Sequence, residues 1–143
     1  MNKKGYTLIE IITVFSLIGI LIGLSIPKIT NDFGYLDNSS EELLRDVRYI
    51  QTEAMKNPLN SYKLIVNSIE RSYYIVNSQN NEVLKSVKLK DRYTISYTGT
   101  GDLYFNSGGV PIHPGTFKIT DARLNKSKEI TVVVATGRTI ILE

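Results

Sequence analysis

The chain has 143 residues, enough for one domain with a real core beside a short terminal segment. Its 17 Lys+Arg and 14 Asp+Glu leave a formal charge of +3, which would point to a polyanionic partner only if the excess belonged to the folded part. No cysteine is present, so no disulfide stabilises any part of the chain.

Residues Met1 to Pro27 set the organisation of everything that follows. Lys3 and Lys4 come first, then Gly5-Tyr6-Thr7-Leu8-Ile9-Glu10, then Ile11 to Pro27 without a charged side chain. As a helix, that apolar run rises about 1.5 Å per residue and reaches most of the way across a hydrocarbon core of roughly 30 Å. Adding Tyr6 to Ile9 completes the span and draws Glu10 inside, where a carboxylate costs about 2.5 kcal/mol or more and needs a partner. An ordinary signal peptide explains the lysines and the apolar run, but it has no use for an acid at the head of that run. Pro27-Lys28 also follows at once, with no small-residue cleavage site.

Lys4-Gly5-Tyr6-Thr7-Leu8-Ile9-Glu10, followed by an apolar helix and Pro27, resembles the class III leader of type IV prepilins and pseudopilins. Tyr6 stands where that family usually has Phe. The resemblance implies a leader over 1–5, cut between Gly5 and Tyr6 by a membrane prepilin peptidase that then methylates the Tyr6 amine. It implies an assembly helix over 6–29 in the cytoplasmic membrane, with residues 30–143 outside. It further implies that Glu10 pairs with the Tyr6 amine of a neighbouring pilin or pseudopilin subunit. Loss of Lys3 and Lys4 with the leader would bring the charge to 3 − 2 = +1, which removes the bulk argument for nucleic acid. Pro27 is expected to kink or loosen the helix at the membrane exit. Gly19 to Gly23 forms a GxxxG, a spacing that lets helices approach closely.

The stretch 31–38 reads as a break. Ser39 and Glu42 form a capping box, predicting a second, amphipathic helix over 40–56 with Leu43, Val47, Ile50 and Ala54 on one face. Asn57-Pro58 ends it. Arg45, Asp46, Arg48, Glu53 and Lys56 fall on the other faces and read as a solvated surface. Leu44 to Ala54 also resembles the segment that closes the long helix in H-type pseudopilins and FimT-like minor pilins.

From residue 61 the period switches to two, and an antiparallel β domain is expected over 61–143. Strands are predicted at 62–66, 72–76, 83–89, 93–97, 103–105, 116–120, 129–135 and 139–142. About eight short strands with frequent turns are the signature of antiparallel sheets in a sandwich or partial barrel, giving an α+β fold. The resemblance to pseudopilins implies a long helix packed on two such antiparallel sheets. Leu103 to Pro111, Gly115 to Ile119, Ile130 to Val134 and Thr136-Gly137-Arg138 resemble the GspH/FimT domain pattern. Some DNA-uptake members of that family carry a second basic residue two positions after the Gly-Arg. Here that position is Ile140.

Little in the chain carries catalytic chemistry. His113 is the single histidine, and neither a second His nor a Cys exists to build a zinc site with it. Gly99-Thr100-Gly101 lacks the third Gly and following helix of a dinucleotide loop, and no nucleophile elbow or P-loop occurs. Asp102 and Asp121 flank turns, where acids serve backbone geometry. The expected role is therefore structural, with no cofactor: a minor pilin or pseudopilin that initiates or caps a fibre of the type IV pilus, competence or type II secretion kind. The alternative is a fibre-tip binding module for DNA or a surface ligand, carried by Lys118, Arg123, Lys126, Lys128 and Arg138.

Overall fold

The computed structural model describes residues 7–25, 34–57, 59, 61–134 and 137–142. The chain forms two compact units, Met1–Phe33 and Gly34–Glu143. In the first, α1 spans Leu8–Ser25, and Glu10 is its single charged residue. Its large apolar side chains from Leu8 to Ile22 are 44–77 % exposed around the whole circumference, with no buried stripe. Eighteen residues rise about 27 Å, short of a roughly 30 Å hydrocarbon core. Among the described residues no helix is long and apolar enough to cross a membrane. The span expected over 6–29 runs past α1 at both ends, and Tyr6 and residues 26–29 lie outside the described residues.

The second unit opens with α2, Tyr35–Lys56. The helix begins five residues before the predicted start, and Ser39-Ser40 lie inside it. Gly34, in the left-handed region at φ 73°, stands at its N-terminus, and its carbonyl accepts the Asn38 N–H at 2.9 Å. No side chain caps this end. Ser40 Oγ instead donates back to Leu36 O at 2.7 Å. Tertiary contact explains the early start. The Tyr35 ring lies 4.5 Å from Tyr93, and its hydroxyl accepts the Lys90 N–H at 3.1 Å. At the other end Asn57 closes the helix as expected, its N–H donating to Glu53 O at 2.9 Å.

Nine strands follow: β1 Tyr62–Asn67, β2 Ser72–Asn77, β3 Val83–Lys88, β4 Tyr93–Tyr97, β5 Leu103–Phe105, β6 Pro111–Ile112, β7 Thr116–Asp121, β8 Lys126–Val132 and β9 Thr139–Leu142. They build two antiparallel sheets, ordered β3-β2-β1-β5-β6 and β4-β7-β8-β9. The strand expected at 129–135 is shifted toward the N-terminus, because Lys126 already pairs with Asp121 across the β7–β8 hairpin. The extra strand is β6, two residues on the outer edge beside β5. Its Pro111 is tolerated because an edge strand needs no second ladder.

α2 packs against both sheets and supplies one wall of their common core. Leu43, Val47, Ile50 and Ala54 are 0–1 % exposed, on the face that the sequence period marks. Against them lie Leu64, Tyr73, Ile75, Leu103 and Phe105 from the first sheet. The second sheet gives Ile95, Phe117, Ile119, Ile130 and Val132. Burying each large side chain stabilises the fold by about 1.5–3 kcal/mol.

Asp46, expected on a solvated face, is buried instead. It accepts the Tyr73 hydroxyl at 2.7 Å and Lys85 Nζ at 2.8 Å, and Lys85 also pairs with Glu42 at 2.8 Å. Burial and then the Asp46 carboxylate push the Tyr73 hydroxyl well above the usual tyrosine range. Partial burial alone would lower Lys85, but its hydrogen bonds to Asp46 and Glu42 hold it above its ordinary value. Asp46→Ala should destabilise the fold by about 2–3 kcal/mol, because the Tyr73 hydroxyl is left buried without an acceptor. Asp46→Asn, which keeps an acceptor, should lose less. Urea unfolding midpoints check the order of the two.

At the end of β7, Arg92 pairs with Asp121, which is 2 % exposed. Asp121 also accepts the N–H groups of Arg123 and Leu124 at 2.9 and 3.2 Å, so it does shape the turn it flanks. The Arg92 guanidinium chiefly, helped by those two N–H donors, lowers its carboxyl from 3.8 to about 2. A depressed carboxylate stabilises the fold above its unfolded value and loses that contribution as pH falls through the folded one. Stability should therefore drop between about pH 4 and pH 2. Asp121→Asn should be less stable at pH 7 and show a shallower acid limb in unfolding followed against pH.

Candidate assembly site

Of the expected processing and assembly residues, Gly5, Tyr6 and Pro27 lie outside the described residues. Glu10 is described. Thr7 precedes the first turn of α1, and its N–H donates to Glu10 Oε2 at 3.4 Å. The Glu10 N–H returns to Thr7 O at 3.0 Å. Thr7-Leu8-Ile9-Glu10 thus has the spacing of a capping box, with the acid at the third helical position beside the positive end of the helix dipole.

Further along α1, hydroxyls are absorbed by the helix itself. Thr13 Oγ1 donates to Glu10 O and Ser16 Oγ to Ile12 O, each at 2.8 Å. Gly19 has open space around it. The result is an apolar rod with one carboxylate at its head.

The five basic residues proposed for a ligand are not gathered at one place. Arg123 and Lys126 flank the β7–β8 turn, and Arg138 precedes β9 at the opposite end of the same strands. Lys118 pairs with Glu129 at 3.0 Å, and Lys128 with Asp37 of α2 at 2.6 Å. Lys128 therefore ties a sheet to the helix. His113 is exposed, with φ 56°, and its Nδ1 lies 3.0 Å from Thr100 Oγ1. Among the described residues no group of three or more His, Asp or Glu side chains is placed to hold a metal ion.

Gln51 is the residue that sequence reasoning passed over. Its Nε2 donates to Gly109 O at 2.9 Å and to Gly137 O at 3.2 Å, joining α2 to the β5–β6 and β8–β9 turns. Both glycines are left-handed, at φ 73° and 63°. A Cβ on Gly137 would collide with Gly109 O and the Gln51 amide. These glycines sit in two of the four segments that carry the second resemblance, and both are held by this shared contact.

Beside Gln51, a groove of about 660 Å³ runs between α2 and β9. Leu44, Arg48 and Thr52 form one wall; Thr139, Ile140 and Ile141 form the other, with Arg138 at its end.

The described residues thus comprise an apolar helix with an acid at its head, and a domain in which a second helix packs on two antiparallel sheets. Residues 1–26 match the family model of the prokaryotic N-terminal methylation motif. The chain thus carries a prepilin-type leader. Its fold is similar to that of the minor pseudopilin EpsH from the type 2 secretion system of Vibrio cholerae. The TM-score is 0.60 at 14 % identity, over 75 % of this chain and 95 % of that one. Among curated proteins no sequence match is found.

Gly137→Ala should destabilise the domain by about 1–3 kcal/mol through backbone strain and the displaced Gln51 amide. A thermal melt checks it. Gly19→Ala, in open space, should leave the domain's melting temperature unchanged.

Proposed function

We infer that this chain is a minor pilin or pseudopilin, a structural subunit rather than an enzyme. A prepilin peptidase cuts between Gly5 and Tyr6 and methylates the new amine. The helix that starts at Tyr6 then holds the subunit in the cytoplasmic membrane, with residues 30–143 outside, until it joins other subunits of the fibre. Few copies initiate or cap a fibre of the type IV pilus, competence or type II secretion kind.

The observation that carries this reading is α1 itself: every large apolar side chain from Leu8 to Ile22 is exposed, and one acid stands at the head. Such a surface needs lipid or other helices around it. In the fibre, Glu10 exchanges its long contact with Thr7 N–H for the Tyr6 amine of a neighbour. Two charges taken out of water then satisfy each other, and removing one leaves the other buried and unpaired.

The mass of the mature N-terminus tests the reading. A start at N-methylated Tyr6, lost when the peptidase is deleted, is the expected result. Retention of Met1 to Gly5, or a cut beyond Pro27, would overturn it. Glu10→Ala should give the same processed mass yet disappear from sheared fibre fractions.

A further inference from the structure

β9 ends its sheet, and among the described residues no strand lies beyond it. The direction of its backbone groups follows from the register. Val133 N–H donates to Arg138 O at 2.9 Å, while Val132 N–H donates to Gly115 O, away from β9, at 3.1 Å. Opposed residues of an antiparallel pair alternate between those that bond each other and those whose N–H and C=O turn outward. Val132 is opposite Thr139, and Ile130 is opposite Ile141. The N–H and C=O of Thr139 and Ile141 therefore turn away from β8, toward the open edge.

That edge is one wall of the groove beside α2. Four residues of β9 extend about 13 Å, and Leu44 to Thr52 rise about 12 Å along the helix, so the two walls match in length. Arg48 and Arg138 line the groove, and among the described residues no acidic side chain does. Thr139 is 8 % exposed, and its Oγ1 is buried without a hydrogen-bond partner among the described residues. A buried hydroxyl left so is uncommon in a folded domain.

We propose that this groove binds an extended acidic segment of a partner protein, which adds to β9 as a fifth strand of the sheet. Its backbone pairs with the outward N–H and C=O groups of Thr139 and Ile141, and its acids meet Arg48. Main-chain pairing supplies the affinity and the side-chain pockets the selection, as in other strand-addition sites. A nucleic acid could meet the arginines, but its backbone has no N–H to offer the Thr139 and Ile141 carbonyls. A second copy of this chain, pairing edge to edge through β9, would bring like charges together at Arg48 and Arg138. The proposal depends on the unit Gly34–Glu143 alone, so it stands or falls separately from the processing of the leader.

The test uses the full chain in detergent micelles and a capped synthetic heptapeptide alternating glutamate with valine. The peptide should slow hydrogen exchange at the Thr139 and Ile141 amides by about tenfold or more. Arg48→Glu, on an exposed helix face, should weaken its affinity by about tenfold, read by calorimetry. The same peptide with lysine for glutamate requires no change in the protein and should not bind. Unchanged exchange at these two amides would overturn the proposal. So would equal affinity for the lysine peptide, or for a single-stranded DNA heptamer.

Discussion

One helix serving two sheets is the constraint on which this domain rests. Neither sheet closes on itself: each leaves an apolar face that α2 helps to cover, through Leu43, Val47, Ile50 and Ala54. Helical spacing puts those four on one stripe, and both sheets must therefore meet the same few square nanometres of surface. Toward the C-terminal end of the helix, Gln51 reaches two of the chain turns.

Around that apolar stripe the polar side chains of α2 act as fasteners, each aimed at a different element. Asp46 and Glu42 hold β2 and β3 through Tyr73 and Lys85. Asp37 holds β8 through Lys128, and Gln51 holds the turns before β6 and β9. An apolar stripe alone tolerates rotation and sliding of a helix. Directed hydrogen bonds on three of its flanks fix one register, which is the contribution of buried polar contacts to a specific fold. In a chain with no cysteine, these contacts do the tying that a cross-link would otherwise do.

Much of this was legible in the sequence, for physical reasons that differ between elements. The leader and Glu10 stand out because a lone acid beside a long apolar run is rare in any other setting. Strand positions follow from a period of two, and the α2 stripe from a period near 3.6. The start of α2 was misplaced because Ser39 and Glu42 do make a capping box in the abstract. The helix is instead extended to Tyr35 by contacts with Tyr93 and Lys90, residues more than fifty positions away. Asp46 was read as solvated since its burial depends on Tyr73 and Lys85 arriving from another sheet strand. β6, two residues with a proline, has no periodic signal at all. Gly109 and Gly137 were visible as part of a pattern, but only the fold shows that a single amide requires both.

The position of β9 has a temporal side. It is the last strand among the described residues, and it packs against α2, some ninety residues upstream. A chain delivered from its N-terminus, whether by a ribosome or through a membrane pore, makes α2 early and holds its apolar stripe open until the end arrives. Contacts of such long sequence separation form late and slowly. A polypeptide cut short before Thr139 would thus remain a helix with an unfinished wall, and arrival of β9 is the step that completes the domain.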